Sequence, residues 1–297
     1  MFVGDVHLNC GGFSPYVESA LNYVLTLVEK TVPDKLVFLG DILDSPALNP
    51  DLAKELSITF SRFQQAAGKV YLIRGNHDKM PRHKRSSIDF LEEQGIITGF
   101  DVYEDEEMVL VSHSVSGKTI KSNGKIVAAH MGLNGVEVTP GYTYSNSDVL
   151  ELEDEARLLS LGHIHTPTVT SCNDVPVLIP GNICPSTWAD LPNQRWVVLV
   201  NESEVTRMPI DHICTKTIYN EEDLIPLPGM IYRLVLNANS TQKNPVHESI
   251  KSIVVKKDVK PIVKGSTKES LISLYCKKYG VDEMVIKRIL VEAGVHA

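Results

Sequence analysis

Apolar residues recur along the first 200 positions in two alternating rhythms. Val17, Leu21, Val24 and Val28 follow Ser14-Pro15 at helical spacing, with the Ser-Pro pair placed to open the helix. Leu52, Leu56, Phe60 and Phe63 repeat that spacing after Asn49-Pro50, and Gly68 is the expected stop. Between and after these come short continuous apolar runs, the mark of strands buried on both faces: Lys35–Leu39, Val70–Ile73, Met108–Val111, Ile126–Ala129, Arg157–Leu161, Val175–Ile179 and Trp196–Val200. The alternation predicts an α/β domain. Several of the runs end in a short polar sequence containing glycine, which places polar loops at strand ends.

From about Glu202 the texture changes. Pro226 and Pro228-Gly229 interrupt the rhythm, Met230–Leu236 reads as a strand, Pro245–Ser252 as a short helix and Ile253–Val255 as a further strand. Beyond Pro261, Ser266-Thr267-Lys268-Glu269 is a capping box, and Leu271, Leu274, Tyr275 and Lys278 share a helical face up to Gly280. Asp282 caps a second helix carrying Val285, Ile286, Ile289 and Leu290. The expected domains are 1–203, a catalytic domain; 204–262, a small α/β cap; and 266–297, a helical hairpin.

Composition narrows the picture only slightly. A chain of 297 residues with 43% hydrophobic and 22% charged residues is ordinary for a globular protein. No apolar run reaches membrane-spanning length and no secretion leader is seen, so a cytoplasmic location is expected. Cys10, Cys172, Cys184, Cys214 and Cys276 are scattered, odd in number and free of C-x-x-C pairs, which suits reduced, buried thiols. The net charge of −8 is uneven: residues 243–297 hold eleven Lys and Arg against six Asp and Glu. That distribution permits a nucleic-acid partner without requiring one.

The polar loops carry the chemistry. Gly4-Asp5-Val6-His7, Gly40-Asp41-Ile42-Leu43-Asp44, Gly75-Asn76-His77-Asp78, Ala129-His130 and Gly162-His163-Ile164-His165 offer carboxylate, amide and imidazole donors, a mixed nitrogen and oxygen set for divalent cations. Asp5 and His7 stand two apart, as do His163 and His165, so each pair points to one side of an extended segment. A lone H-x-H or Gly-Asp is weak; five pieces in this order are not coincidence. His113 rivals His130 for the isolated position, and His130 is preferred from its distance to the later pair.

In this order the motifs resemble those of the calcineurin-like metallophosphoesterases over roughly residues 1–200. The resemblance implies an αββα sandwich holding two divalent ions, with manganese expected and magnesium, iron or zinc accepted by the same donors. It implies Asp5, His7 and His165 around one ion, Asn76, His130 and His163 around the other, and Asp41 between them. His77 would face the phosphate as proton donor, with Asp78 holding its ring in orientation. Within the superfamily, Ile179-Pro180-Gly181-Asn182 with Ser186-Thr187-Trp188 is similar to a segment of SbcD-type double-strand-break-repair nucleases, although Asn182 replaces their usual serine. Asp44 stands where some of them place a histidine, so no role is carried to it. A basic stretch, Lys79 to Arg85, follows the GNHD motif and suits backbone phosphates. This closer resemblance implies a DNA exonuclease or endonuclease, a homodimer, and a partner coiled-coil ATPase of the SMC type docked on the C-terminal hairpin. The alternatives are a stand-alone phosphatase or small-molecule phosphodiesterase, and a metal-bearing scaffold subunit.

Overall fold

The computed structural model describes residues 1–80, 86–115, 119–133, 137–139, 142–143, 149–186, 195–201, 204–210, 214–218, 230–237 and 250–256. Its residues fall into two compact units, Met1–Leu234 with Pro245–Ser252, and Val235–Asn244 with Ile253–Ala297. The candidate site lies wholly in the first.

Two sheets form the centre of that unit. The first has the order Val205–Ile210, Arg195–Val200, Phe2–Val3, Lys35–Phe38, Lys69–Leu72. Its last three strands are parallel, with Phe2 opposite Val37 and Phe38 opposite Leu72. The second has the order Thr168–Cys172, Val175–Ile179, Leu158–Gly162, Ile126–His130, Met108–Val111, Val102–Glu104, and is parallel through its middle four strands. Val37, Leu39, Tyr71 and Ile73 of the first sheet share one buried cluster with Leu110, Ala128, Leu158 and Leu178 of the second, so the sheets stack face to face. Burial on both faces is why these strands read as continuous apolar runs rather than alternating ones.

Two helices cover the outer face of the first sheet. α1 (Ser14–Thr31) buries Val17, Leu21, Val24 and Val28 as its spacing predicts. α2 (Pro50–Ala66) buries Leu52, Leu56, Phe60 and Phe63, and Asn49 caps it by accepting from the Leu52 N–H at 2.8 Å. Phe60 and Phe63 pack edge-on to Phe38 with ring centroids 5.1 Å apart, tying helix to sheet. On the outer face of the second sheet the described residues supply Val115, Ile120, Leu133, Leu150 and Ala156 from irregular segments and short strands.

Two expectations need correction. The boundary expected at 203–204 separates two strands that pair with each other: Val205–Ile210 lies antiparallel to Arg195–Val200, and Ile210 is buried in the core. Val205, Arg207 and Pro209 alternate as its exposed residues, so it lacks the continuous apolar run that marks the buried strands. The helix expected over 245–252 is not formed at its end: Ile250–Lys256 is a strand, in a three-stranded sheet with Cys214–Ile218 and Met230–Asn237. The β-branched run Ile253–Val255 extends backward and overrides the short helical pattern. The hairpin expected over 266–297 lies outside the described residues. Of the cysteines, Cys10 and Cys184 are buried and Cys172 is half-buried.

Candidate metal centre

Each motif loop leaves the carboxyl end of a parallel strand, where open α/β sheets expose their loops. The loops after Phe2–Val3 and Lys35–Phe38 run side by side: the Val6 and His7 N–H groups donate to Asp41 O at 3.0 and 2.9 Å, and Leu8 N–H donates to Ile42 O at 2.9 Å. That pairing sets Asp5 and His7 beside Asp41. The second sheet contributes through register, because Gly162 lies opposite His130 and so carries His163 to the same place. Asp5 joins the two sheets: both its carboxylate oxygens accept the His163 main-chain N–H, at 3.1 and 3.0 Å.

The side chains converge as two groups. Asp5, His7 and His165 bring ligand atoms within 4.8 Å of one another, and so do Asp41, His130 and His163. His7 Nε2 and His165 Nε2 approach to 3.1 Å, and Asp5 Oδ2 stands 4.0 and 3.8 Å from them. In the second group His130 Nε2 is 3.0 Å from Asn76 Oδ1 and 3.2 Å from Asp41 Oδ2. The same Asp41 oxygen lies 3.8 Å from His7 Nε2, so it faces both groups. His130 Nδ1 donates to Leu39 O at 2.7 Å, which turns Nε2 toward Asp41 and Asn76. His113 sits close by, its ring 5.5 Å from that of His163, but His130 makes the contact with Asp41.

The backbone is bent to achieve this. His7, Asp41 and His163 have φ values of 55, 46 and 74°, left-handed conformations that ordinary side chains rarely take. Strain of that kind persists where surrounding contacts over-determine the geometry, typically at functional sites. Gly162 is required by space: an added Cβ would lie 2.8 Å from Asp5 Oδ1 and 3.0 Å from His130 Nδ1.

Asp5, His7, Asp41 and His130 are buried, so their electrostatics are mutual. Burial pushes the Asp5 carboxyl up, against the pull of His130, His165 and His7. Burial acts on Asp41 in the same sense, but His130 and His7 outweigh it and hold the carboxyl well below the usual range. Burial would lower His130; the charges of Asp41 and Asp5 prevail and lift it to about 9. A field that retains a proton there favours any cation. His163 is pushed down to about 3 by burial and then by His130, which keeps the imidazole neutral, the form that binds metal. The donor set therefore fits a pair of divalent ions: carboxylates, imidazoles and one amide oxygen, mixed in the way borderline metals accept, with the proton held at His130 given up when a cation takes its place.

A family model described as Calcineurin-like phosphoesterase matches residues 1–167. The chain is a calcineurin-like phosphoesterase. No curated protein matches it. As a member of this family it is a metal-dependent phosphoester hydrolase, and the family binds two divalent metals. Among the described residues of this phosphoesterase no helix is long and apolar enough to cross a membrane.

One expected contact is not what the structure has. The resemblance implies that Asp78 holds the His77 ring, yet its two oxygens accept the main-chain N–H groups of Leu43 and Gly75, each at 3.0 Å. It braces the Asp41 loop against the Asn76 loop; burial and then Asp41 push its carboxyl up to about 6. His77 is held instead by Asp44, whose main-chain oxygen accepts from Nδ1 at 2.6 Å, while the His77 N–H donates to Asp41 Oδ1 at 2.8 Å. Asp44 is the site residue that sequence reasoning left without a role; its position three residues after Asp41 in GDILD was the available signal. Asn182, buried, accepts from the buried Arg195 Nε at 3.0 Å, and its neighbour Ile183 donates to Asp5 O at 2.8 Å. Of the basic stretch after GNHD, Lys79 and Met80 are exposed and 81–85 lie outside the described residues.

Proposed function

We propose that this phosphoesterase hydrolyses phosphodiester bonds in DNA with two divalent ions, one held by Asp5, His7 and His165 and the other by Asn76, His130 and His163. The observation that carries the two-metal reading is Asp41 Oδ2 facing both groups, 3.8 Å from His7 Nε2 and 3.2 Å from His130 Nε2. One carboxylate can bridge two cations, and manganese is the expected ion. When bound, such a pair offsets phosphate charge and acidifies a water nucleophile. The protein's own part is positional. A carbonyl only accepts, so the hydrogen bond to Asp44 O places a proton on His77 Nδ1 and leaves Nε2 as the exchanging atom. From Nε2 the imidazolium protonates the leaving oxygen or steadies the phosphoryl charge. Asp78 keeps that ring in place at one remove, by fixing the two loops on which Asp41 and Asn76 stand.

DNA as substrate is supported by the resemblance of Ile179–Asn182 to the SbcD-type segment and by the basic stretch that begins beside His77. The excess of Lys and Arg after residue 243 suits DNA contact by a cap and docking of an SMC-like ATPase on 266–297. The deciding assay is manganese-dependent degradation of labelled single- and double-stranded DNA beside a chromogenic phosphodiester. Cleavage of DNA that His77→Ala loses by about 10²–10⁴-fold while keeping its metal is the expected result. Cleavage of the small ester alone would reject the nuclease reading in favour of a small-molecule phosphodiesterase. Removing 266–297 is expected to abolish co-purification with the ATPase and spare basal hydrolysis; retained co-purification rejects the docking role.

A further inference from the structure

The geometry points to Asp44 as a positioning residue for the first metal group, acting on His7 rather than on the substrate. This rests on the two-metal reading above. His7 is buried and presents Nε2 to His165, 3.1 Å away, so its other nitrogen must be satisfied from behind. Among the described residues Nδ1 has no hydrogen bond of good geometry, and Asp44 Oδ1 stands 3.3 Å from it. The Asp44 side chain is 40% exposed against 2% for His7, so the carboxylate is the partner free to turn and close the bond. A carboxylate accepting from Nδ1–H fixes the tautomer in which Nε2 carries the lone pair, the arrangement that metal-bound histidines usually receive from an outer partner. His7, Asp44 and His77 form a third group with ligand atoms within 4.8 Å. In that group one residue serves two imidazoles by different means: Asp44 Oδ1 stands by His7, and its main-chain oxygen holds His77 at 2.6 Å. Side-chain variants therefore separate the two roles, because the main-chain bond to His77 survives them. This is a role for aspartate that the histidine found here in some relatives could not fill while protonated.

The test is manganese titration of the full chain as wild type, Asp44→Ala and Asp44→Asn, with long-range proton–nitrogen spectra of the histidine side chains in EDTA at mildly alkaline pH. Wild type binding two ions is the control: if it binds none, the two-metal reading fails and not this one. Asp44→Ala is expected to weaken one of the two ions by on the order of 10–100-fold. Asp44→Asn, whose amide oxygen still accepts from Nδ1–H, is expected to restore most of that loss. In the spectra, His7 of the wild type is expected as the Nδ1–H tautomer and to lose that preference in Asp44→Ala. Unchanged affinity for both ions in a folded Asp44→Ala overturns the proposal. So does an Nε2–H tautomer for His7 in the wild type, which decides the matter even where a variant fails to fold.

Discussion

Arg74 and Asp89 close the stretch of chain that carries Asn76 and His77, and their removal has a calculable effect. Arg74 Nε donates to Asp89 Oδ1 at 2.9 Å and Nη2 donates to Oδ2 at 2.7 Å, a two-pronged pair. Asp89 Oδ2 also accepts the Ser86 N–H at 2.9 Å, so the carboxylate is held by three donors. The side chains are only 14% and 12% exposed. Losing one partner of a buried pair costs ~3–5 kcal/mol, because the other charge is left uncompensated. Residual contact with water softens this, and Asp89→Ala is expected to cost about 2–4 kcal/mol, against ~0–1 kcal/mol for an exposed pair. That corresponds to a fall in Tm of roughly 4–16 °C for a domain of this size. The measurement is urea denaturation in EDTA of wild type, Arg74→Ala, Asp89→Ala and the double variant, so that metal binding does not enter. A coupling energy of about 1.5–3 kcal/mol is expected from the cycle. A coupling below about 0.5 kcal/mol would show that the pair behaves as an exposed one and refute the reasoning.

Three further outcomes follow from the site and its scaffold. Asp41→Asn keeps an acceptor for the His77 N–H but loses the bridging charge; bound metal measured by elemental analysis should fall from two ions to one or none, with turnover reduced on the order of a hundredfold. Two ions retained at normal turnover would contradict the bridging role. Manganese at a hundredfold excess over its Kd should stabilise the chain by about 2.7 kcal/mol per site, and EDTA should remove it; superimposable melting curves would argue against a site in the folded state. Asn49→Ala should cost about 1 kcal/mol in denaturation through loss of the α2 cap while leaving metal stoichiometry intact; altered stoichiometry would mean that α2 reaches the site.

Local signals were legible along the chain because they depend on neighbours alone. The burial of Val17 to Val28 and of Leu52 to Phe63 follows from helical spacing, and Asn49 caps α2 as a short polar side chain before proline should. The ligand types were legible too, since each motif concentrates carboxylate and imidazole beside glycine. Three-dimensional placement decided the rest. Nothing in the order of residues says that Gly162 lies opposite His130, or that one oxygen of Asp41 faces two groups; register and loop pairing do. Which residue meets the His77 ring is decided in the same way. The family resemblance implies that Asp78 holds the His77 ring, yet the turn points that carboxylate at the amides of Leu43 and Gly75 and brings Asp44 to the imidazole across the loop. Covalent neighbours share a stretch of backbone, but partners in a site are set by where side chains point once the strands are paired, and that direction is a property of the folded chain.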